Sequence, residues 1–358
     1  MSSRYGGANE AMRDALARVA PGTPLRDGND RVVRSKAGAL LVLSDDADVL
    51  SICSGGFLVD APYSPQRLSE LAKMDGAIII SSDGGRIARA NVHLVPDPSV
   101  PTSETGTRHR TAERVARSLD VPVVSASEEM GVINVYAGGS KRQLQEVGHL
   151  LDRANQALQT LERYKVRLDD AITNLTAVEI EDVATLRDVV AVVQRGEMVH
   201  RIADEIETMI IELGIDARLL RLQLDELYGE IDDELDLVVA DYMPPGRSVA
   251  DTLAGMSRLD DDEVLNLRLA ADALYPGGDS TDLGQEAAPK GLRLLHRVSR
   301  LPAEKATAIA DHFGGLAKLQ RATVDDLMSV DGVDEATARA IRETLSRVTE
   351  STILDQYS

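Results

Sequence analysis

Two short stretches in the first third of the chain combine residue types that could act on a phosphorylated ligand. Asp75, Gly76 and Ala77 stand directly before the apolar run at residues 78–80. A carboxylate and a glycine at a strand entrance put a metal-capable oxygen at a sheet edge and leave the backbone open to close approach. Alone, an Asp-Gly pair is also an ordinary turn dipeptide. The second stretch, Gly106-Thr107-Arg108-His109-Arg110-Thr111, stands at the mouth of an expected helix. The Gly-Thr turn exposes backbone N–H groups, and a helix N-terminus favours anions. Thr107 and Thr111 add hydroxyl donors, while Arg108 and Arg110 bring guanidinium forks that match phosphate oxygens. Basic residues at a helix start oppose the helix dipole, so this pair calls for a compensating anion. Phosphate binding is the reading favoured over a solvated basic turn. Farther on, Ser127 and Glu128 follow an apolar run. They could reach a nucleotide or a metal, or equally cap the turn before Met130 and Gly131.

The elements that must position these groups follow from the apolar pattern. Runs at residues 39–43, 77–80, 92–95, 121–124 and 132–136 read as strands, and residues 64–73 and 110–119 read as helices. Pro122 stands where the second helix should already have stopped. Strands alternating with helices predict an α/β domain with helices on the faces of a sheet. From about Lys141 the texture changes. Leu144, Val147, Leu151, Ala154, Leu158 and Leu161 recur at steps of three and four, and Leu168, Ile172 and Leu175 continue the phase. That spacing predicts a long helix with a heptad-like seam, a spine in which no chemistry is evident. After a loop rich in Gly, Ser, Thr and Asp at residues 277–284, a compact helical module begins near Gly291.

A chain of 358 residues is too long for one ordinary core, and its length predicts two or three domains. Its apolar runs are too short to span a bilayer, and its start lacks the apolar core of a signal peptide. Cys53 is the lone cysteine, which excludes an intramolecular disulfide and a cysteine-based zinc site. A cytoplasmic protein is expected, with any metal bound through oxygen and delivered with substrate. The formal charge of -20 argues against a protein that coats DNA non-specifically, although a small DNA-binding module remains compatible with it. With no Trp and two Phe, an aromatic platform for single strands is not expected.

Taken together, Gly38-Ala39-Leu40, Asp75-Gly76-Ala77, Gly106-Thr107-Arg108-His109-Arg110 and Ser127-Glu128 resemble the diadenylate cyclase domain in order and spacing, over about residues 13–137. With the spine and the last module the likeness covers nearly the whole chain. It points to the branch of that family that couples the cyclase to DNA binding. The resemblance implies a multidomain α/β plus all-α chain. Its parts would be an N-terminal cyclase domain with a central mixed sheet at residues 1–140, a helical spine at 141–288, and a C-terminal helix-hairpin-helix domain at 289–358.

It also implies a reaction in which two ATP molecules condense to cyclic di-AMP with loss of two pyrophosphates. Asp75 would orient or deprotonate the 3′-hydroxyl and bind Mg²⁺ or Mn²⁺. Gly76 and Ala77 would admit the nucleotide. Thr107, Arg108, His109, Arg110 and Thr111 would hold the phosphates, with Ser127 and Glu128 opposite. His109 is a candidate for acid–base work, but ligand contact fits its neighbours at least as well, and no proton transfer is assigned to it. Leu94 either packs on the adenine or belongs to the ordinary core. Because one site holds one ATP, two subunits must face each other, and the resemblance implies a homo-octamer of two facing tetramers. No membrane partner is expected.

In the last module, residues 301–316 and 327–345 repeat a hairpin-then-helix pattern that resembles tandem helix-hairpin-helix motifs. Such motifs grip a DNA phosphate with backbone N–H groups, which implies duplex or branched DNA bound without base readout. Lys305, Gly332, Val333 and Arg339 are the expected DNA contacts. Lys290, Arg293, Arg297, Arg300, Lys318, Arg321 and Arg342 could extend one basic face. Asp334 stands where the motif usually has a second glycine, and an acid there repels phosphate. Two other readings are a non-enzymatic nucleotide-sensing DNA repair scaffold and a different nucleotidyltransferase. The set Asp75, Arg108, His109 and Arg110 speaks against the first. The absence of paired acids near Gly139-Ser140 speaks against the second.

Overall fold

Alternation of apolar residues along four short strands sends side chains to both faces of a sheet. In the computed structural model, which describes residues 7–127, 131–243, 246–276 and 282–356, strands β1 (Ala39–Val42), β4 (Ala77–Ile80), β6 (Val123–Ala126) and β7 (Ile133–Ala137) are buried at every position. Leu41, Ile78, Ile80, Val124 and Val135 face one core, and Leu40, Val42, Ile79, Val123 and Tyr136 face the other, which is the period-two pattern of a doubly covered sheet. The strand order is β2-β5-β4-β1-β6-β7-β8, with β3 also pairing β5. Here β2 is Cys53–Ser54, β3 Phe57–Pro62, β5 Arg86–Leu94 and β8 Ser140–Gln143. β1 and β4 run parallel, and the other pairings are antiparallel, so the sheet is mixed as expected.

Helices α1 (Gly7–Arg18), α2 (Pro24–Arg34) and α4 (Pro65–Leu71) cover the first core, and α5 (Thr107–Leu119) covers the second. A short α3 spans Ala47–Ser51. Thr23 and Ser64 cap α2 and α4 by accepting the N–H groups of Arg26 and Arg67, each with proline at the first helical turn. Asp120 ends α5 in the left-handed conformation two residues before Pro122.

The chain divides into two compact units, Met1–Ala157 with Asp204–Gln223, and Leu158–Ala203 with Leu224–Ser358. The division falls inside the long helices α6 (Val147–Ile180) and α7 (Leu186–Leu213) rather than at a loop. The spine's helix starts at Val147, later than the change of texture at Lys141 suggests. The intervening Ser-Lys-Arg-Gln segment is the polar edge strand β8, which carries no apolar alternation to betray it. On α6 the seam residues Leu158, Leu161, Leu168, Ile172 and Leu175 are buried.

The second unit adds α8 (Arg218–Tyr228), which begins in the first unit, then α9 (Ile231–Tyr242), α10 (Val249–Ser257), α11 (Asp261–Val264) and α12 (Leu267–Leu274). The last module follows as α13 (Leu292–His296), α14 (Ala303–Phe313), α15 (Leu316–Arg321), α16 (Val324–Met328) and α17 (Glu335–Gln356) around a core that includes Leu295, Ile309, Leu319, Leu327 and Ile341.

Candidate functional site

The two chemical stretches converge because β4 and α5 flank one end of the sheet. Asp75 and Gly76 enter β4, which pairs antiparallel with β5 so that Ala77 lies opposite Val92. Gly76 is required by that pairing: a Cβ there would lie 2.6 Å from the Cα and carbonyl carbon of Asn91, whose backbone cannot yield. Asn91 itself takes a left-handed φ of 52° at an irregularity in the β4–β5 ladder. Asp75 projects fully into solvent at the rim, and its Oδ1 is 3.6 Å from Nη2 of Arg108.

α5 opens at Gly106 with φ of 80° and has no side-chain cap, so the N–H groups of its first turn are left for a ligand. No acid occupies that turn to offset Arg108 and Arg110. Thr111 turns its hydroxyl inward to donate to the Thr107 carbonyl at 2.9 Å. The loop before α5 is clamped by the buried Glu113. Its carboxylate accepts from the hydroxyl of Thr102 and the backbone N–H of Ser103 and pairs with Arg117 at 2.8 Å. Burial pushes the Glu113 carboxyl up, but the Thr102 and Ser103 donors and Arg117 outweigh it and hold the group below the usual carboxylate range.

His109 is half-buried, with Nδ1 3.1 Å from the hydroxyl of Tyr136 and 3.4 Å from Oγ of Ser125. Burial lowers its pKa first of all; Glu104 opposes this, and Lys141 and Arg108 add to it. These surroundings favour the neutral ring.

Between these elements lies an open cleft of about 740 Å³. It is lined by nine of the expected residues: Asp75, Gly76, Ala77, Leu94, Thr107, Arg108, His109, Thr111 and Ser127. Leu94 is both buried core and cleft wall, so its two readings merge. Arg110 is exposed on α5 and does not line the cleft, while Glu128 lies outside the described residues. Leu40, Val92 and Gly106 also line it, and sequence reasoning missed Asn91, His93 and Thr105 as site residues. The polar residues Asn91 and His93 inside an apolar strand were the available signal.

Among the described residues no group of three or more Asp, Glu, His or Cys could hold a metal ion. Asp75, the one carboxylate among the described residues that line the cleft, fits an ion that keeps water and phosphate oxygens as its remaining ligands, as Mg²⁺ does. It does not fit a caged resident metal.

In the C-terminal module Gly332 adopts φ of 78° at the hairpin, and Lys305 Nζ donates to its carbonyl at 2.7 Å. Val333 is buried in the module's core, and its N–H donates to the Val330 carbonyl at 3.1 Å, so it is not among the groups open to a phosphate. Arg339 is exposed and pairs with Glu335 one turn back. Asp334 accepts the Thr337 N–H at 2.8 Å at the start of α17, the work of an N-cap, and the Thr337 side chain together with this N–H holds its carboxyl below the usual range.

Arg293 cannot belong to a basic face of the module, whereas Arg297, Arg300, Lys318 and Arg321 are exposed. Arg293 is buried, paired with Glu179 and donating to Thr176 at 2.9 Å. Lys290 and Arg342 donate to the carbonyls of Ala240 and Gln320. Burying a guanidinium among partners was invisible to a count of charges along the chain.

Comparison with known proteins bears on both ends of the chain. A family model described as DisA bacterial checkpoint controller nucleotide-binding matches residues 26–141, which contain the cleft. A second, described as DisA bacterial checkpoint controller linker region, matches residues 144–283. The DNA integrity scanning protein DisA of Streptomyces coelicolor is 51% identical over 98% of this chain and 95% of its own. The protein of the same name from Frankia alni is 51% identical over 98% of each chain. That from Kineococcus radiotolerans is 52% identical, again over 98% of each.

Proposed function

Since this chain belongs to the DisA family of bacterial checkpoint controllers, a family of diadenylate cyclases, we propose that its cleft binds ATP and joins two such molecules into cyclic di-AMP. The observation that carries this reading is the meeting of Asp75 with Arg108 at the open start of α5. A carboxylate for the attacking hydroxyl and an anion site for the phosphate then share one rim.

The 3′-oxygen of one ATP attacks the α-phosphorus of the other, a new P–O bond forms, and the bond to pyrophosphate breaks. A second exchange closes the ring. Asp75 orients the 3′-hydroxyl and receives its proton. Thr107, Arg108 and the first-turn N–H groups of α5 hold the phosphate, where positioning and charge neutralisation supply most of the rate. Gly76 and Ala77 let the nucleotide approach the sheet edge, Leu94 packs on the base, and Ser127 and Glu128 close the opposite side. Asp75, together with the phosphate oxygens, would hold Mg²⁺ or Mn²⁺, which when bound would supply charge neutralisation. Two cleft-bearing subunits must face each other. Arg110, outside the cleft and exposed on α5, is free to serve the facing copy, and a homo-octamer of two tetramers satisfies that need.

The C-terminal module binds duplex or branched DNA through the backbone at the Gly332 hairpin, aided by Lys305 and Arg339. Its occupancy reports to the cyclase. No described helix is long and apolar enough to cross a membrane. Replacing ATP by 3′-deoxy-ATP tests the chemistry, because the analogue lacks the attacking oxygen and should release no pyrophosphate. Release at the rate seen with ATP would mean simple hydrolysis. For the coupling, a four-way junction should lower the rate of synthesis, and a junction that binds without changing the rate would refute it.

A further inference from the structure

We propose that Tyr136, Glu104 and Lys141 are positioning residues that fix the tautomer of His109, so that its Nε2 presents a lone pair to the nucleotide. The inference rests on the reading of the cleft as the ATP site, but its physical content is separate. Lys141 Nζ donates to Oε1 of Glu104 at 2.6 Å, so that oxygen acts as an acceptor. The Tyr136 hydroxyl lies 3.3 Å from the same oxygen and donates its single proton there. Its oxygen is then left to accept, and the group 3.1 Å away is Nδ1 of His109. Nδ1 therefore carries the proton and donates to that oxygen, with Ser125 Oγ at 3.4 Å a second, longer acceptor, and in the neutral ring Nε2 is bare.

The fold builds this chain of bonds from three separate elements. Tyr136 on β7 and Lys141 on β8 are directly opposite in the hairpin register. Lys141 also lies 5.8 Å above the tyrosine ring. Glu104 comes from the loop that Glu113 clamps. Second partners of this kind set ring orientation and tautomer around many functional histidines. A neutral His109 with a bare Nε2 accepts a hydrogen bond from an O–H and has nothing to donate to an ionised phosphate. Neighbouring residues on α5 thus divide the ligand: Arg108 takes phosphate oxygens, and His109 takes a ribose hydroxyl.

The test is solid-state NMR of the full-length protein labelled with ¹³C,¹⁵N-histidine at neutral pH, with the His109 signals identified by their loss in His109→Gln. The wild type should show the Nδ1–H tautomer. Glu104→Leu frees the tyrosine proton to point at Nδ1 and should invert the tautomer to Nε2–H while Tyr136 stays in place. Tyr136→Phe should give a mixture. In both variants kcat should fall by roughly 10- to 100-fold, as for second-partner losses elsewhere, with KM for ATP little changed. An Nε2–H tautomer in the wild type overturns the proposal, as does an unchanged Nδ1–H tautomer in Glu104→Leu. A correct tautomer response in a protein that makes no cyclic di-AMP upholds this relay and refutes the cyclase assignment of the cleft instead.

Discussion

Gly38 stands where any side chain would overlap the guanidinium of Arg108: a Cβ there would collide with Nη1 and Cζ. The glycine just before β1 thereby sets the position of the arginine that meets Asp75. The colliding atoms are the far end of a flexible side chain, so Arg108 can swing away while the sheet stays intact. Gly38→Ala should leave the melting temperature nearly unchanged and lower cyclase kcat/KM by roughly 100-fold, the scale of an ångström-sized misplacement. Steady-state kinetics beside thermal denaturation checks both halves of this expectation.

Gly76 is the contrasting case, because its neighbour is backbone. A Cβ 2.6 Å from Asn91 Cα cannot be accommodated by a side-chain rotation. Gly76→Ala should therefore destabilise the fold by about 1–3 kcal/mol, the usual cost of overpacking. Denaturant unfolding is the direct measurement, and a variant as stable as the wild type would contradict the assigned contact.

How much of this was legible beforehand differs between the two halves of the site. Asp75 and the Thr107–Thr111 stretch could be read because each is contiguous and each carries an uncompensated charge at an element's entrance. Tyr136, Glu104 and Lys141 could not, since their meeting depends on the β7–β8 register and on a loop held by Glu113. The strand Ser140–Gln143 was hidden for a related reason. Its pairing comes from main-chain bonds to β7, while its own side chains are polar. In the last module Asp334 looked like a defect in a phosphate-gripping hairpin, yet locally it is a helix cap.

That cap yields a prediction in which stability and binding separate. Asp334→Asn keeps an oxygen for the Thr337 N–H and removes the charge, so it should leave stability nearly unchanged and tighten junction binding. Asp334→Ala removes the cap as well and should cost about 1 kcal/mol. Fluorescence anisotropy with a labelled junction at fixed salt, with unfolding curves for the same variants, distinguishes the two effects.

The second unit contains a buried polar joint whose charge state depends on pH. Asp241 accepts the N–H of Arg293 at 2.9 Å and that of Leu292, but burial, the dominant influence, pushes its pKa up to about 6. The unfolded carboxyl titrates near its ordinary value of 3.8. Between these values the folded chain binds more protons than the unfolded one, so this component of stability is lost as pH rises through that window. It amounts to about 3 kcal/mol. Asp241→Asn should abolish that component, seen as a smaller change in unfolding free energy between pH 4 and pH 7.

Arg293 and Glu179 form the charged centre of the same joint, both almost fully buried. Arg293→Met would strand the Glu179 carboxylate in the interior and should cost about 3–5 kcal/mol. Hydrogen exchange should show the added opening in α13 and at the end of α6. Local protection equal to the wild type would contradict the assigned role of this pair.

The central claim, that the cleft joining Asp75 to Arg108 makes cyclic di-AMP, is tested most directly by product analysis. The purified wild type and Asp75→Asn are incubated with ATP and Mg²⁺ or Mn²⁺, and the nucleotides are resolved by chromatography and mass. The wild type should yield cyclic di-AMP and pyrophosphate, and the variant, folded and assembled like the wild type, should yield neither. Unchanged ATP from a folded wild type with both metals, or cyclic di-AMP formed equally well by Asp75→Asn, would contradict the account.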